Sequence, residues 1–577
     1  MRRSSRRPTP LHLPALILLL TVAGCTPTQP GGEIATLVLR GGVVATVDDT
    51  RPSAEAVAVQ GDRILAVGTD DEIEAFVGNG TQVVELDGRL LMPGFIEGHG
   101  HFLSLGDAKS ILDLNGAESW EQIVEQVKQA VAEAQPGEWI RGRGWHQEKW
   151  ALPPKPAVQG NPVHDTLSEV SPDNPVLLVH ASGHAAFANA AAMAAAGIDA
   201  STPDPPGGEI VHSADGRPTG LLRETAQRLV ARVLQDSRSD MTPEERENEL
   251  RRHVELAGEE ALRHGVTSFH DAGVSFSTID FYRRLEDEGA LPVRLYAMVR
   301  GETNATMAAK LAQYRAVAEG NDFLTVRSIK RQIDGALGAH GAWLLDPYED
   351  LPSSTGLVLE PVEDIEETAR IALENGFQVN THAIGDRANR EVLDIYERTF
   401  LSSEDTDLRW RIEHAQHMHP SEVPRFASLG VIASMQGIHC TSDAPWVYAR
   451  LGSERAETGA YLWRDLLDAG VIINNGTDVP VEPIDPIPSF YASVSRVTKD
   501  GSVFFGRQSM TREEALYSYT MSNAYAAFEE DLKGSITPGK LADMVVLSQD
   551  ILTVDEADIP NTRVDLTVLG GNVVYER

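Results

Sequence analysis

Residues 92–102 read MPGFIEGHGHF, an apolar run that ends in two histidines set between glycines. Along a strand, side chains alternate faces, so His99 and His101 project side by side from one face. Gly98 and Gly100 leave room around them and permit close backbone approach. Two adjacent imidazoles at a strand end make half of a metal site. A solvent-facing histidine pair is the competing reading, and partners elsewhere in the chain decide between the two.

Downstream, short apolar runs recur between helical segments. They are GVTSFHDAG, PVRLYAMV, LTVRSIKRQIDG, GFQVNTHAIGD, RWRIEHAQ, GVIASMQ and GVIINNGTDVP, with helices such as PVEDIEETARIALENG between them. Counted with the first stretch they give eight strands, the number of an α/β (β/α)8 TIM-like barrel. Residues from about 110 to 245 do not fit one β/α unit. They hold their own helix (SWEQIVEQVKQAVAEAQ) and strands (EWIRGRGW, NPVLLVHA), which predicts an insertion after strand one. Both ends of the chain differ from this middle. ATLVLRGGVVATVD, AEAVAVQGDRILAVG, TQVVELDGRLLMPG, ADMVVLSQD and VDLTVLGGNVVYER are Val-rich runs punctuated by Gly and Asp. The expected organisation is a small β-sandwich built from 34–93 and 535–577, beside a barrel over 94–534.

Barrel enzymes carry their chemistry at the C-terminal ends of the strands. Here those ends hold His99 and His101, His270-Asp271, Lys330 with Asp334-Gly335, Thr381-His382, Glu413-His414 and Thr477-Asp478. So many ligand-type residues at strand mouths are hard to dismiss as ordinary polarity.

At this point a resemblance becomes specific. MPGFIEGHGHF, SGHAAFANAAAM, GGEIVHSADGRPTGLLRETA, GVTSFHDAG, KRQIDGALG, NTHAIGDRAN, RIEHAQ, NGTDVPVEPIDP and GSITPGKLADMVVLS together resemble the amidohydrolase superfamily of metal-dependent hydrolases. The insertion motifs and the Lys330-to-Asp334 spacing are similar to the branch of N-substituted formamide deformylases. The resemblance implies that His99 and His101 hold the more buried ion and that His382 and His414 hold a second. It implies that Asp478 ligates the first ion and carries the proton. Lys330 matches a lysine that carbon dioxide carboxylates to bridge two ions. The alternative for Lys330 is a salt bridge to Asp271 or Asp334 with a single ion. The implied cofactor is one or two divalent ions, zinc foremost, since neutral imidazole and carboxylate suit it. The implied reaction is hydrolysis of a C–N bond in an amide or formamide-like small molecule. An esterase or lactonase is the nearest alternative. A non-catalytic, surface-anchored binding protein on the same fold is the alternative of a different class, and the complete ligand set argues against it.

Several secondary residues follow. His184, in ASGHAAFANAA, either meets the substrate or holds the insertion against the barrel. Trp145 and His146 either line the pocket or pack. Asp334 reads as a turn residue or as part of the site. His270 and Asp271 are expected to support the site, and of His414, His417 and His419 only His414 is expected to ligate. Glu97 stands where relatives carry a shorter acid, Gly98 and Gly100 are smaller than the usual neighbours, and His340 stands where relatives often carry Arg.

The formal charge of −35, from 50 basic and 85 acidic residues, argues against a nucleic-acid partner, because phosphate repels such a surface. The N-terminus is separate. MRRSSRRPTP is basic, and LHLPALILLLTVAGC is apolar but short for a membrane span. Residues 1–24 read as a signal peptide. Val22-Ala23-Gly24-Cys25 resembles a bacterial lipobox, which implies cleavage before Cys25 and lipidation of its sulfur. Residues 25–33 then form a tether. The expected address is the bacterial cell envelope, extracytoplasmic, with the membrane reached through the lipid on Cys25. The other cysteine, Cys440, is expected to be a small buried residue. On this reading the native chain partitions into the detergent phase in a phase-separation assay, and Cys25→Ser moves it to the aqueous phase. Equal partitioning of the two would rule out the anchor.

Overall fold

In the computed structural model, eight parallel strands form a barrel: β1 (Phe95–Gly100), β2 (Val266–Val274), β3 (Arg294–Val299), β4 (Leu324–Gln332), β5 (Gln378–Ala383), β6 (Arg411–His414), β7 (Ile432–Gln436) and β8 (Ile473–Gly476). The structure describes residues 33–147, 150, 153–181, 183, 185–206, 208–239 and 241–577, with Glu319 described for its backbone alone. The signal peptide, Cys25, nearly all of the tether and His184 lie outside the described residues.

Neighbouring strands pair in parallel from β1 through β8, with register shifts in the first three pairs and none from β4 to β8, so on that side residues at equivalent heights face one another. Gln332 sits opposite His382, and His382 opposite Glu413. Each crossover helix follows from its sequence. Over Val362–Asn375, Ile365, Ala369 and Ala372 recur at helical spacing and are buried, and Gly376, at φ 68°, ends the helix in the left-handed conformation.

The ring closes between β8 and β1 through specific bonds rather than a strand ladder. The Asp478 amide donates to His99 O at 2.7 Å and the His101 amide to Val479 O at 2.8 Å. The Asn523 side chain bridges the two strands, donating to Ile96 O at 2.7 Å and Asn475 O at 2.9 Å. Glu97, 1% exposed, accepts from the Thr477 amide at 2.7 Å and hydroxyl at 2.9 Å. Gly98 is required here: a Cβ would lie 2.3 Å from Asn523 Oδ1 and 2.4 Å from Asn475 O.

Strands from both chain ends make a sandwich beneath the barrel. One sheet holds Arg63–Gly68, Ala56–Gln60, Leu37–Arg40 and Gln82–Glu85. The other runs Asn572–Glu576, Val564–Leu569, Met544–Leu547, Leu90–Pro93, Val43–Ala45 and Ser53–Ala54. Leu37, Leu39, Val57 and Val59 pack with Met544, Val546, Leu566 and Val568 between the sheets. Leu90–Pro93 passes through Gly94 directly into β1, and the Gly94 amide donates to Asp543 O.

The insertion is a six-stranded sheet in the order Gly208–His212, Pro218–Glu224, Ala185–Ala188, Val176–His180, Ile140–Trp145, Leu112–Asp113. It has its own core of Trp120, Trp145, Trp150 and Phe187. It lies between helices Phe102–Lys109 and Pro243–Arg263, whose backbones touch at Gly106 and His253. Arg143 ties it to the barrel, donating to Pro480 O at 3.4 Å and Ala181 O at 3.1 Å. Among the described residues no helix is long and apolar enough to cross a membrane.

Sandwich and barrel are pinned by a buried ion pair. Arg294, at the start of β3, grips Asp543 with two bonds of 2.7 and 3.0 Å, and both residues are buried. Removing one member of such a pair strands the other charge. Asp543→Ala should therefore cost about 3–5 kcal/mol of stability, read as a lowered urea midpoint. An unchanged midpoint would show that the pair does not hold the two units together.

Candidate active site

The floor of the site is a layer of buried polar side chains across the barrel interior. Arg411 and Glu413 alternate on β6, so both face inward. The Arg411 guanidinium donates to Glu413 Oε1 at 2.6 Å and Oε2 at 2.9 Å, and also to Gly98 O and Ser434 Oγ. Although burial works against ionisation, Arg411 and then Lys330 hold the Glu413 carboxyl below its usual range. An ionised Glu413 accepts from His99 Nδ1–H, which leaves the His99 Nε2 lone pair pointing up into the mouth. His414 is set the same way, its Nδ1–H donating to Gln436 Oε1 at 2.7 Å.

Above this floor the ligand-type residues converge. His99, His414 and Asp478 each present a donor atom within 4.8 Å of the others. His101 Nε2 lies 3.2 Å from Asp478 Oδ1, and His99 Nε2 lies 3.6 Å from it. The His382 and His414 rings are 4.4 Å apart, and Lys330 Nζ is 3.2 Å from His99 Nε2. Burial brings His414 down to about 4 and keeps His99 and His382 well below the usual histidine range. The imidazoles are therefore neutral and offer lone pairs. Burial would raise the Asp478 carboxyl, but contact with His101 and the surrounding imidazoles holds it well below the usual range. Burial, then the nearby Arg300 guanidinium, brings the Lys330 amine down to about 7.

This donor set fits a divalent cation. Asp478 Oδ1 and His382 Nε2 are buried with no hydrogen-bond partner among the described residues. Such atoms are costly unless something binds them. His414 and Asp478 also hold left-handed backbones, at φ 73° and 58°. For non-glycine residues this costs about 1–3 kcal/mol each and is typical of functional positions.

The remaining residues singled out from sequence fall as follows. Asp334 is fully buried and accepts from the Ile384, Gly385 and Trp343 amides at 2.8–3.0 Å, while its Oδ1 lies 3.4 Å from His382 Nε2. It organises the loops around His382. Lys330 makes no ion pair with Asp271 or Asp334. Asp271 instead accepts from Tyr282 OH, and His270 Nδ1 meets Arg411 Nη1 at 3.1 Å. His417 is buried away from the donor group, and His419 caps a short turn at Ser421. Trp145 is 1% exposed with its Nε1 donating to Leu178 O, so it belongs to the insertion's core while one side reaches the cavity. His146 and His340 also line the cavity. Cys440 is fully buried, and burial pushes its thiol up to about 11.

A cavity of about 2040 Å³ opens over the centre, walled by the insertion and by the helix after β7. The strand-end pattern of the sequence names no site residue on strands three and seven. Arg300, just past β3, lines this cavity, as do His439 and Asp443 beyond β7. The pattern SMQGIHCTSD, with a polar end to an apolar strand, was the available signal.

Comparison with known proteins agrees with this geometry. The model of a family described as the amidohydrolase family matches residues 82–575. The chain is 34% identical over 560 residues to Protein LONG AFTER FAR-RED 3 of Arabidopsis thaliana, covering 95% of this chain and 93% of that one. It is 29% identical over 544 residues to an N-substituted formamide deformylase of Arthrobacter pascens, covering 92% and 97%. Among solved structures, an uncharacterized metal-dependent hydrolase of Pyrococcus horikoshii superposes with a TM-score of 0.71 at 27% identity, covering 90% of this chain and 99% of that one. With a match running from the sandwich through the whole barrel, over a mouth lined by a His/His/Asp donor group, the chain belongs to the amidohydrolase family of hydrolases.

Proposed function

We propose that the enzyme hydrolyses the C–N bond of an amide or formamide-like small molecule, with His99, His101 and Asp478 holding one divalent ion, zinc foremost, and His382 and His414 holding a second. The observation that carries this reading is the buried convergence of His99, His414 and Asp478 with donor atoms within 4.8 Å of one another. The similarity to a formamide deformylase supports a C–N substrate. A bound divalent ion supplies an acidified water and polarises the scissile carbonyl.

The chain's own residues do the rest. Glu413 and Gln436 fix the tautomers of His99 and His414, so that both present Nε2 toward the centre. Asp478 is held ionised and poised to accept a proton as water adds to the carbonyl carbon. It returns that proton to the departing nitrogen, so that the C–O bond forms and the C–N bond breaks to give a carboxylic acid and an amine. Lys330, with its amine near 7, is substantially neutral at physiological pH and able to add carbon dioxide. The resulting carbamate, with one amine proton released to solvent, would be an anionic group able to help hold a divalent ion. The lipobox ending at Cys25 supports an enzyme working outside the cytoplasm, tethered to a bacterial membrane.

Three measurements test this reading. Dialysis against a chelator should abolish turnover of simple formamides and amides, and zinc should restore it; activity undiminished in the metal-free protein would refute the metal requirement. Lys330→Met should lower the bound metal to a single equivalent, and two retained equivalents would remove Lys330 from the bridge. Asp478→Asn should keep the fold but lose about 10²–10⁴-fold in kcat, most severely for poor amine leaving groups that need protonation. Wild-type rates on an unactivated amide at unchanged metal content would take Asp478 out of the mechanism.

A further inference from the structure

A divalent ion accounts for the unpartnered atoms of His382 and Asp478. It does not account for His439. This residue stands in the first turn of helix Gly437–Gly459, directly after β7, and lines the cavity. It is 9% exposed, and its Nε2 is buried with no hydrogen-bond partner among the described residues. Its ring lies parallel to that of His414, 6.2 Å away with an interplanar angle of 15°. It stands outside the His99, His414 and Asp478 donor group.

The position of His439 is built. Tyr461 OH donates to Asp443 Oδ2 at 2.9 Å and lies 3.3 Å from His439 O. Gln416 Nε2 donates to the same Asp443 oxygen at 2.7 Å. Asp443 lies one helical turn beyond His439, and Gln416 lies two residues beyond His414. The helix that carries His439 is therefore tied to the loop that leaves the proposed ligand His414. A buried imidazole held in this way and left unpartnered needs an explanation. His439 lines the same cavity as His414, where a substrate binds on the hydrolase reading.

We propose that His439 Nε2–H donates a hydrogen bond to the carbonyl oxygen of the scissile acyl group and stabilises the charge on that oxygen as water adds. As the carbon–oxygen π bond opens, its electron pair moves onto the oxygen facing His439. When the C–N bond breaks, the pair returns, and His439 keeps its proton throughout. A fixed donor aimed at developing charge, in a site shielded from water, is worth more than the same contact in solution. The ligand class is an acyl compound with a planar carbonyl. The inference rests on the hydrolase reading above.

The test uses 4-nitroformanilide with the full-length metal-loaded enzyme, its His439→Leu, His439→Gln and His439→Asn variants, and a metal measurement on each. His439→Leu should lose about 10²–10³-fold in kcat with KM nearly unchanged and the metal retained, because the contact strengthens only in the transition state. Gln places an amide nitrogen near the Nε2 position and should recover part of the rate; the shorter Asn should not. Should the Leu variant fail to fold, the Gln and Asn pair still decides, and equal rates for those two would overturn the proposal. So would wild-type kcat in the Leu variant, an effect confined to KM, or loss of metal, which would make His439 part of the ligand set. A metal-loaded wild type inactive on the formanilide would instead strike the amide reading, and this inference would fall with it.

Discussion

The centre exists because β8 lands on β1. Asp478 comes to His99 and His101 only when the ring closes, and the seam is fixed by the Asp478 amide on His99 O, the Asn523 bridge and the Glu97 grip on Thr477. Thr477 and Glu97 are 380 positions apart in the chain, so no local sequence signal announces this contact. Gly98 and the Gly476 Cα surface make the approach possible: a Cβ at Gly476 would lie 2.3 Å from Glu97 Oε1. The left-handed backbone at Asp478 is tolerated because its amide is captured at that same seam.

A second constraint works from below. Charged groups in a barrel interior must be paired or bind something, and Arg411 with Glu413 meets that requirement while orienting His99. The sandwich, fed directly by the strand that becomes β1 and clamped by Arg294 and Asp543, fixes the far end of the same strands. The insertion covers the mouth, held through Arg143 to the loop after Asp478. Strand geometry thus sets the donors, while the insertion and the helix after β7 shape what can reach them.

Much of this was legible in the sequence. The period of the apolar runs marked the strands, and His99, His101, Lys330, His382, His414 and Asp478 could be read at strand ends because barrel chemistry sits there. A strand end, however, says only that a side chain points toward the mouth. The choice of His414 over His417 is local, since one ends the strand and the other lies past it. The fate of Lys330, beside His99 and away from Asp271, depends on side chains that meet across the lumen.

The sequence by itself determined the element order, the two-ended sandwich pattern, the acidic surface and the inventory of ligand-type residues, because each is written in local periodicity and composition. The tertiary structure alone decided that Glu413 sets the His99 tautomer, that Asp334 serves the loops around His382, and that His439 stands beside His414 with its Nε2 buried and unpartnered among the described residues. The reason is physical. Alternation assigns a side chain to a face, but its partner is whichever group strand register and ring closure bring within about 3 Å, and that pairing spans hundreds of residues with no local trace.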